Sequence, residues 1–198
     1  MIGVMQSSAQ AIHLGVKGGL NFSYVSGYEE FAGDDLRIGH HLGIYGDIIF
    51  SERISLQVDV LYSTQGATYD DDEEFDGGEI IYYTDDEIKM DYINVPVMLK
   101  IYPVKGLSLQ AGPQVGFLLD AVNTYKENGV PQEDDLEDYV NNTDFGVAFG
   151  IGYKMNFGLN IDFRYIHGIA NILSEDSGFD EELNNQLVQI SLGYSILH

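Results

Sequence analysis

Cysteine is absent from the 198 residues, which excludes disulfides, thiolate metal sites and a lipid-modified N-terminal cysteine. No apolar run approaches the ~20 residues that a membrane-spanning helix needs, so a helical membrane protein is excluded too. Basic residues are scarce: Lys and Arg total 9 against 32 Asp and Glu, a net charge of −23. Such a chain repels nucleic acid, whose binding rests on cations that neutralise phosphates. In place of helix formers stand 23 Gly, 14 Tyr and 10 Phe, a composition of strands and turns. A chain of this length is expected to form one domain.

What is present is alternation. From Ile93 the odd positions read Ile93, Val95, Val97, Leu99 and Ile101, with Asn94, Pro96, Met98 and Lys100 between them. After Pro103-Val104-Lys105-Gly106 the apolar parity resumes at Leu107, Leu109, Ala111, Pro113, Val115, Phe117 and Leu119, against Ser108, Gln110, Gly112, Gln114 and Gly116. Strict alternation predicts two strands around a tight turn, each with two chemically different faces. The polar face is Gly, Ser, Gln and Asn, too small for a solvated exterior and too polar for a core. It suits the inside of a narrow closed barrel whose apolar face meets lipid.

This hairpin carries a resemblance. Tyr92-Ile93-Asn94-Val95-Pro96-Val97-Met98-Leu99-Lys100, followed by Gly112-Pro113-Gln114-Val115-Gly116, resembles the signature of the PorT-like outer-membrane β-barrel family. With its flanking strands the resemblance runs from about Leu14 to Ile196. It implies an OmpA-like barrel in the outer membrane of a Gram-negative envelope. It also implies a partner in envelope assembly or secretion, by analogy alone.

The same period recurs elsewhere. Strands are expected from about Ile12 to Tyr24, Ile38 to Phe50, Ile54 to Gln65, Ile88 to Tyr102, Leu107 to Leu119, Phe145 to Met155, Leu159 to Tyr165 and Val188 to Ile196. Short turns at 51–53, 103–106 and 156–158 alternate with long loops at about 25–37, 69–87, 122–142 and 168–185. The expected fold is therefore all-β: a closed eight-stranded antiparallel transmembrane β-barrel with short periplasmic turns and long acidic extracellular loops. Parity changes between Ile88, Met90, Tyr92 and Ile93, Val95, which predicts a bulge near Asp91. Phe50, Tyr102 and Phe157 should girdle the short-turn rim, and Tyr24, Tyr62, Tyr92, Phe145 and Tyr165 the long-loop rim. Ser7-Ser8-Ala9-Gln10-Ala11 resembles the small-residue end of a secretory signal. Residues 1–11 are expected to be a signal remnant or flexible tail, and 12–198 the barrel domain.

Charge divides into two sets. Inward positions carry Lys17, Asp47, Asp59, Lys100, Lys154, Asp162 and Arg164, with Asp120 and Asp144 nearer the long-loop rim. Charges in a closed lumen must pair, so the seven are expected to form a plug rather than an ion path. The other set lies in the loops, densest at Asp70-Asp71-Asp72-Glu73-Glu74 and from Glu133 to Asp138. One reading is a solvated surface. The other is a partner or weak cation surface at Asp70, Asp72, Glu74, Asp76, Asp134 and Asp135, holding Ca or Mg loosely. Asp72-x-Glu74-x-Asp76-Gly77 begins like an EF-hand loop, but Tyr83 stands where the bidentate Glu is needed.

No serine stands in a nucleophile elbow. The one catalytic arrangement open to the chain is a His/Asp pair from His40, His41 or His167 with Asp120 or Asp144, and no enzyme and no cofactor are expected. A lipocalin-like soluble barrel around a small lipid is the other alternative, but a water-facing sheet would carry abundant Lys and Glu. The expected function is a membrane-anchored structural or interaction component, not an open pore. Its expected partners are outer-membrane lipid and another envelope or secretion protein.

Overall fold

Side chains that alternate in polarity can satisfy both faces only in a sheet, and the chain is built of strands: β1 Ala11–Ser26, β2 Arg37–Ser51, β3 Ile54–Thr68, β4 Asp72–Asp76, β5 Glu79–Val104, β6 Leu107–Glu127, β7 Val130–Asp135, β8 Thr143–Lys154, β9 Leu159–Gly168 and β10 Asn184–Leu197. The computed structural model describes residues 11–26, 36–69, 72–76, 79–174 and 183–197. The signal-like segment up to Gln10 lies outside the described residues, as do Glu29, Glu30, Asp34, Asp35, Asp70 and Asp71.

Every pairing is antiparallel. β1 pairs with β2 and β10, β2 with β3, β3 with β5, β5 with β6, β6 with β8, β8 with β9, and β9 with β10. The sheet therefore closes on itself, and closure leaves no row of unpaired backbone groups along the barrel wall. β4 and β7 stand outside the circuit, paired to the ends of β5 and β6.

The faces are the reverse of a water-soluble protein's. On the outside Ile38 is 66 % exposed, Leu42 65 % and Ile44 61 %. Inside, Lys17, Asp59 and Arg164 are buried to 1 % or less. Long charged side chains are almost never fully buried, and a continuous apolar exterior is stable only against hydrocarbon. This polarity overturns the lipocalin-like alternative, which needs the apolar face within. The inside is crowded enough to require glycine. A Cβ on Gly15 would strike the Tyr45 ring, and one on Gly152 the carboxylate of Asp162 and the amide of Gln110.

Several sequence expectations are corrected here. β3 and β5 pair without a slip from Ile54↔Ile101 to Thr68↔Glu87. The slip lies between β5 and β6: Asp91 pairs with Asp120 but Tyr92 with Leu118, leaving Leu119 as the extra residue. The bulge is thus on β6, opposite Asp91. Consequently Met90 and Tyr92 keep the inward parity of Asn94 and are buried, while Asp120 turns outward and Ala121 inward. Tyr92 is therefore no girdle residue, and Tyr102 also turns in, towards Ser55. Lastly, the expected loops 69–87 and 122–142 are largely strand. β4 pairs with β5 from Asp72↔Tyr83 to Asp76↔Glu79, and β7 with β6 from Val122↔Asp135 to Glu127↔Val130.

β5 and β6 stay paired as far as Tyr83↔Glu127. Together β4, β5, β6 and β7 make a blade that continues the wall beyond the long-loop rim. The β6–β7 turn is a two-residue hairpin, Asn128 at φ 50° and Gly129 at φ 80°, the left-handed pair that matches strand twist.

Candidate functional site

The lumen is filled in three levels. At mid-height five charged side chains form a chain of ion pairs. Lys100 lies 3.7 Å from Asp162, Asp162 2.9 Å from Lys17, Lys17 3.1 Å from Asp59, and Asp59 2.6 Å from Arg164. Neutral side chains complete the carboxylates and the guanidinium. Gln57 donates to Asp59, Gln110 donates to Asp162 at 2.6 Å, and Arg164 Nε donates to Gln110 Oε1 at 3.2 Å. Each carboxylate is shared by two cations, so neither can be lost without stranding charge in a dry interior.

Polar side chains pack the layers on either side. Towards the long loops, His41 sits between Asn21 Oδ1 and Ser191 Oγ at 2.8 Å each, and Asn21 donates to Ser63 Oγ and the Thr64 carbonyl. Towards the short turns, Asn160 donates to the Tyr45 hydroxyl, which also bonds Ser195. The Lys17 ammonium stands 5.4 Å from the centre of the Tyr45 ring. Below lies a vestibule of 650 Å³ on the short-turn side, lined among others by Asp47, Arg53, Tyr102, Lys105 and Lys154. There Lys154 stands 3.9 Å from Asp47 and 2.7 Å from His13 Nδ1.

The third level, at the long-loop mouth, is apolar. Val25, Ala67, Met90, Tyr92, Ala121, Val140, Ile172 and Leu183 form one buried cluster. Two segments cross the mouth, joined by the bridge Val140↔Leu173. Their polar groups bond one another: Asn141 donates to the carbonyls of Asn171 and Leu173, and Asn171 Oδ1 accepts from the backbone of Leu173 and Leu183. Beside the cluster is a cavity of 350 Å³ walled by side chains that include Ile88, Met90, Leu136, Val140, Ile172 and Leu183. Sequence alone does not disclose this mouth. Apolar residues that face inward near a rim carry the same alternation as residues that face lipid.

All seven lumen charges lie inside the barrel. Five join the mid-height chain, and Asp47 and Lys154 form a separate pair nearer the short turns. In the loop set, Asp134 and Asp135 are exposed on β7, and Asp135 accepts from the Glu137 backbone at 2.9 Å. Asp72, Glu74 and Asp76 lie on β4, an extended strand and not the curled loop that an EF-hand uses. The histidines do not converge. His41 is buried in the lumen, whereas His40 faces outward beside Tyr62 and His167 faces outward against Gln186. Asp120 is exposed and Asp144 accepts from Asn185. Among the described residues no group of three or more His, Cys, Asp or Glu could hold a metal ion.

Comparison with known proteins fits this geometry. The model of the outer membrane protein beta-barrel domain matches residues 5–174. Solved structures with the same fold include Ail, the attachment invasion locus protein of Yersinia pestis, at 14% identity and a TM-score of 0.52, covering 93% of this chain and 98% of that one. Neisserial surface protein A is similar at 10% identity and a TM-score of 0.56, covering 92% and 97%. A major outer membrane protein from Thermus thermophilus is similar at 15% identity and a TM-score of 0.52, covering 94% and 100%. Curated protein sequences give no match.

Proposed function

We propose, for a chain that belongs to the outer membrane protein β-barrel domain family and resides in the outer membrane of a Gram-negative envelope, a role as a non-catalytic, membrane-anchored interaction component. In this reading eight strands cross the membrane, the short turns face the periplasm and the long acidic segments face outward. One observation carries it. The lumen is closed at mid-height by the Lys100–Asp162–Lys17–Asp59–Arg164 chain, while the blade of β4 to β7 extends past the long-loop rim.

A sealed barrel has its surface left to work with, and the blade is where that surface is most developed. Its β7 edge carries Pro131, Glu133, Asp134 and Asp135, a proline and three charges that oppose strand addition by another chain. Contact with a partner is therefore through a blade face or the mouth. The acids favour a cationic protein surface, with Ca or Mg held loosely if at all, and the PorT-like motif supports an envelope or secretion protein as the partner. Ail was solved with the heparin analogue sucrose octasulfate, a ligand whose charge these acidic segments would repel.

Two measurements test the reading. Planar-bilayer recording of the purified protein is expected to give no stable large conductance steps; such steps would overturn the sealed lumen. Gentle extraction from native membrane, with residues 72–82 intact or replaced by a short turn, is expected to co-purify a partner with the intact form only. If both folded forms emerge alone, the blade is not a partner site.

A further inference from the structure

The mouth cavity points to a ligand, and we infer that it binds a small, uncharged apolar molecule. This goes beyond the anchoring role and does not depend on it. The cavity measures 350 Å³. An apolar cavity of about 150 Å³ holds benzene, so this one, which opens beside Tyr139, has room for roughly fourteen non-hydrogen atoms. Its walls are aliphatic apart from the rings of Tyr69 and Tyr139. The amides that could have reached into it, Asn141 and Asn171, are spent on the crossing segments' own backbone. Water there would lack the two to four polar partners that hold it.

The surroundings select the ligand's charge. Apolar walls cannot bury an ion without a partner. Glu137 and Asp138, exposed beside Tyr139, repel an anionic head group, which disfavours a fatty acid. Buried inward amides such as Asn94 and Asn21 and the mid-height charge chain close the lumen further down, so the cavity leads nowhere. The molecule is held at the mouth and not passed on.

The test uses the full chain in lipid nanodiscs and an uncharged aromatic diazirine, with labelled residues mapped by mass spectrometry. Labelling is expected at Ile88–Met90, Leu136–Val140 and Ile172. It should saturate, and be competed by an unreactive uncharged analogue but not by a carboxylate of equal length. Outward residues such as Leu42 and Phe149, which face the bilayer, should label in proportion to probe concentration and serve as an internal standard. V140F and L136W, which fill the cavity, should lose the saturable label while keeping the heat-resistant folded migration of a barrel. Mouth labelling that does not saturate, or that survives in the folded filled variants, would overturn the site. Equal competition by the carboxylate would overturn the ligand class. If the filled variants do not fold, competition on the wild type alone decides.

Discussion

The lumen at mid-height and the lumen at the long-loop mouth are lined by the same strands, with an inward parity that Leu119 shifts on β6, yet they are closed by opposite chemistry. At mid-height Lys17, Asp59, Lys100, Asp162 and Arg164 seal the barrel by pairing. A few residues higher Met90, Tyr92 and Ala121 seal it by packing under segments folded across the opening. Ion pairs hold strands at fixed distances and tolerate no lost partner. Apolar packing tolerates a void, and a void is what the mouth contains. The barrel is thus closed by paired charge at mid-height and by apolar packing around a void at the long-loop mouth.

The sharpest way to break this contrast is to remove a carboxylate from the mid-height chain. Asp59 serves both Lys17 and Arg164, so D59A leaves Arg164 without a carboxylate and Lys17 with Asp162 alone, and is expected to cost about 3–5 kcal/mol, the range for breaking a buried pair. R164A is expected to cost less. Arg164 ends the chain, and its loss leaves two carboxylates with two lysines. Urea titration of the folded gel-migrating form would measure both. Equal losses would show that the five charges do not act as a connected chain.

The matching change at the mouth is M90A. Met90 is 1 % exposed, and truncating a buried methionine costs about 2–5 kcal/mol, less where the site can collapse. An existing cavity beside it gives that freedom, so the low end is expected, with no conductance gained. A loss as large as that of D59A, or the appearance of conductance, would mean that the mouth and not the charge chain is the seal.

How far these levels were legible follows from what each leaves in the sequence. Strands and the inward charges show themselves locally, because alternation is read within a few residues and a lone Lys or Asp on a face of Gly, Ser and Asn stands out. The side chosen by Ile88, Met90 and Tyr92 does not. The apolar face there, Ile88, Met90 and Tyr92 against Lys89 and Asp91, carries the pattern of a lipid-facing side, and only the unbroken register with β3 shows that it continues the inward side of Asn94. The blade was hidden by its acids, which are depleted in strands and so read as loop, although Asn128-Gly129 carried the residue pair of a two-residue hairpin.

That hairpin allows a smaller test, confined to the blade. An added Cβ at Gly129 meets nothing within 4 Å, so G129A changes only the backbone term. At φ 80° a non-glycine residue costs about 1–2 kcal/mol. Hydrogen exchange should quicken along Val122–Asp135 and stay unchanged in β1, β2 and β10. Faster exchange throughout the barrel would tie the blade to the stability of the wall.

The smallest effect concerns Asp86, beyond the membrane-spanning part of β5. Burial raises its carboxyl above the ordinary aspartate value of 3.8, and the hydrogen bond from Asn123 opposes this only in part. Oδ1 is buried without a hydrogen-bond partner. Between pH 3.8 and the raised value the folded state binds more protons than the unfolded one, so stability falls as pH rises through that window. Above the window the penalty is constant. D86N removes it while keeping the shape of the side chain, and should melt higher than the wild type at neutral pH. The two curves should converge as pH falls below 3.8. The difference between the variants, not either curve alone, isolates this group from the other acids. An asparagine variant that melts lower at neutral pH would mean that ionised Asp86 holds the register shift between Thr84 and Glu87 of β5 against β6, which would make the blade, like mid-height, a place held by charge.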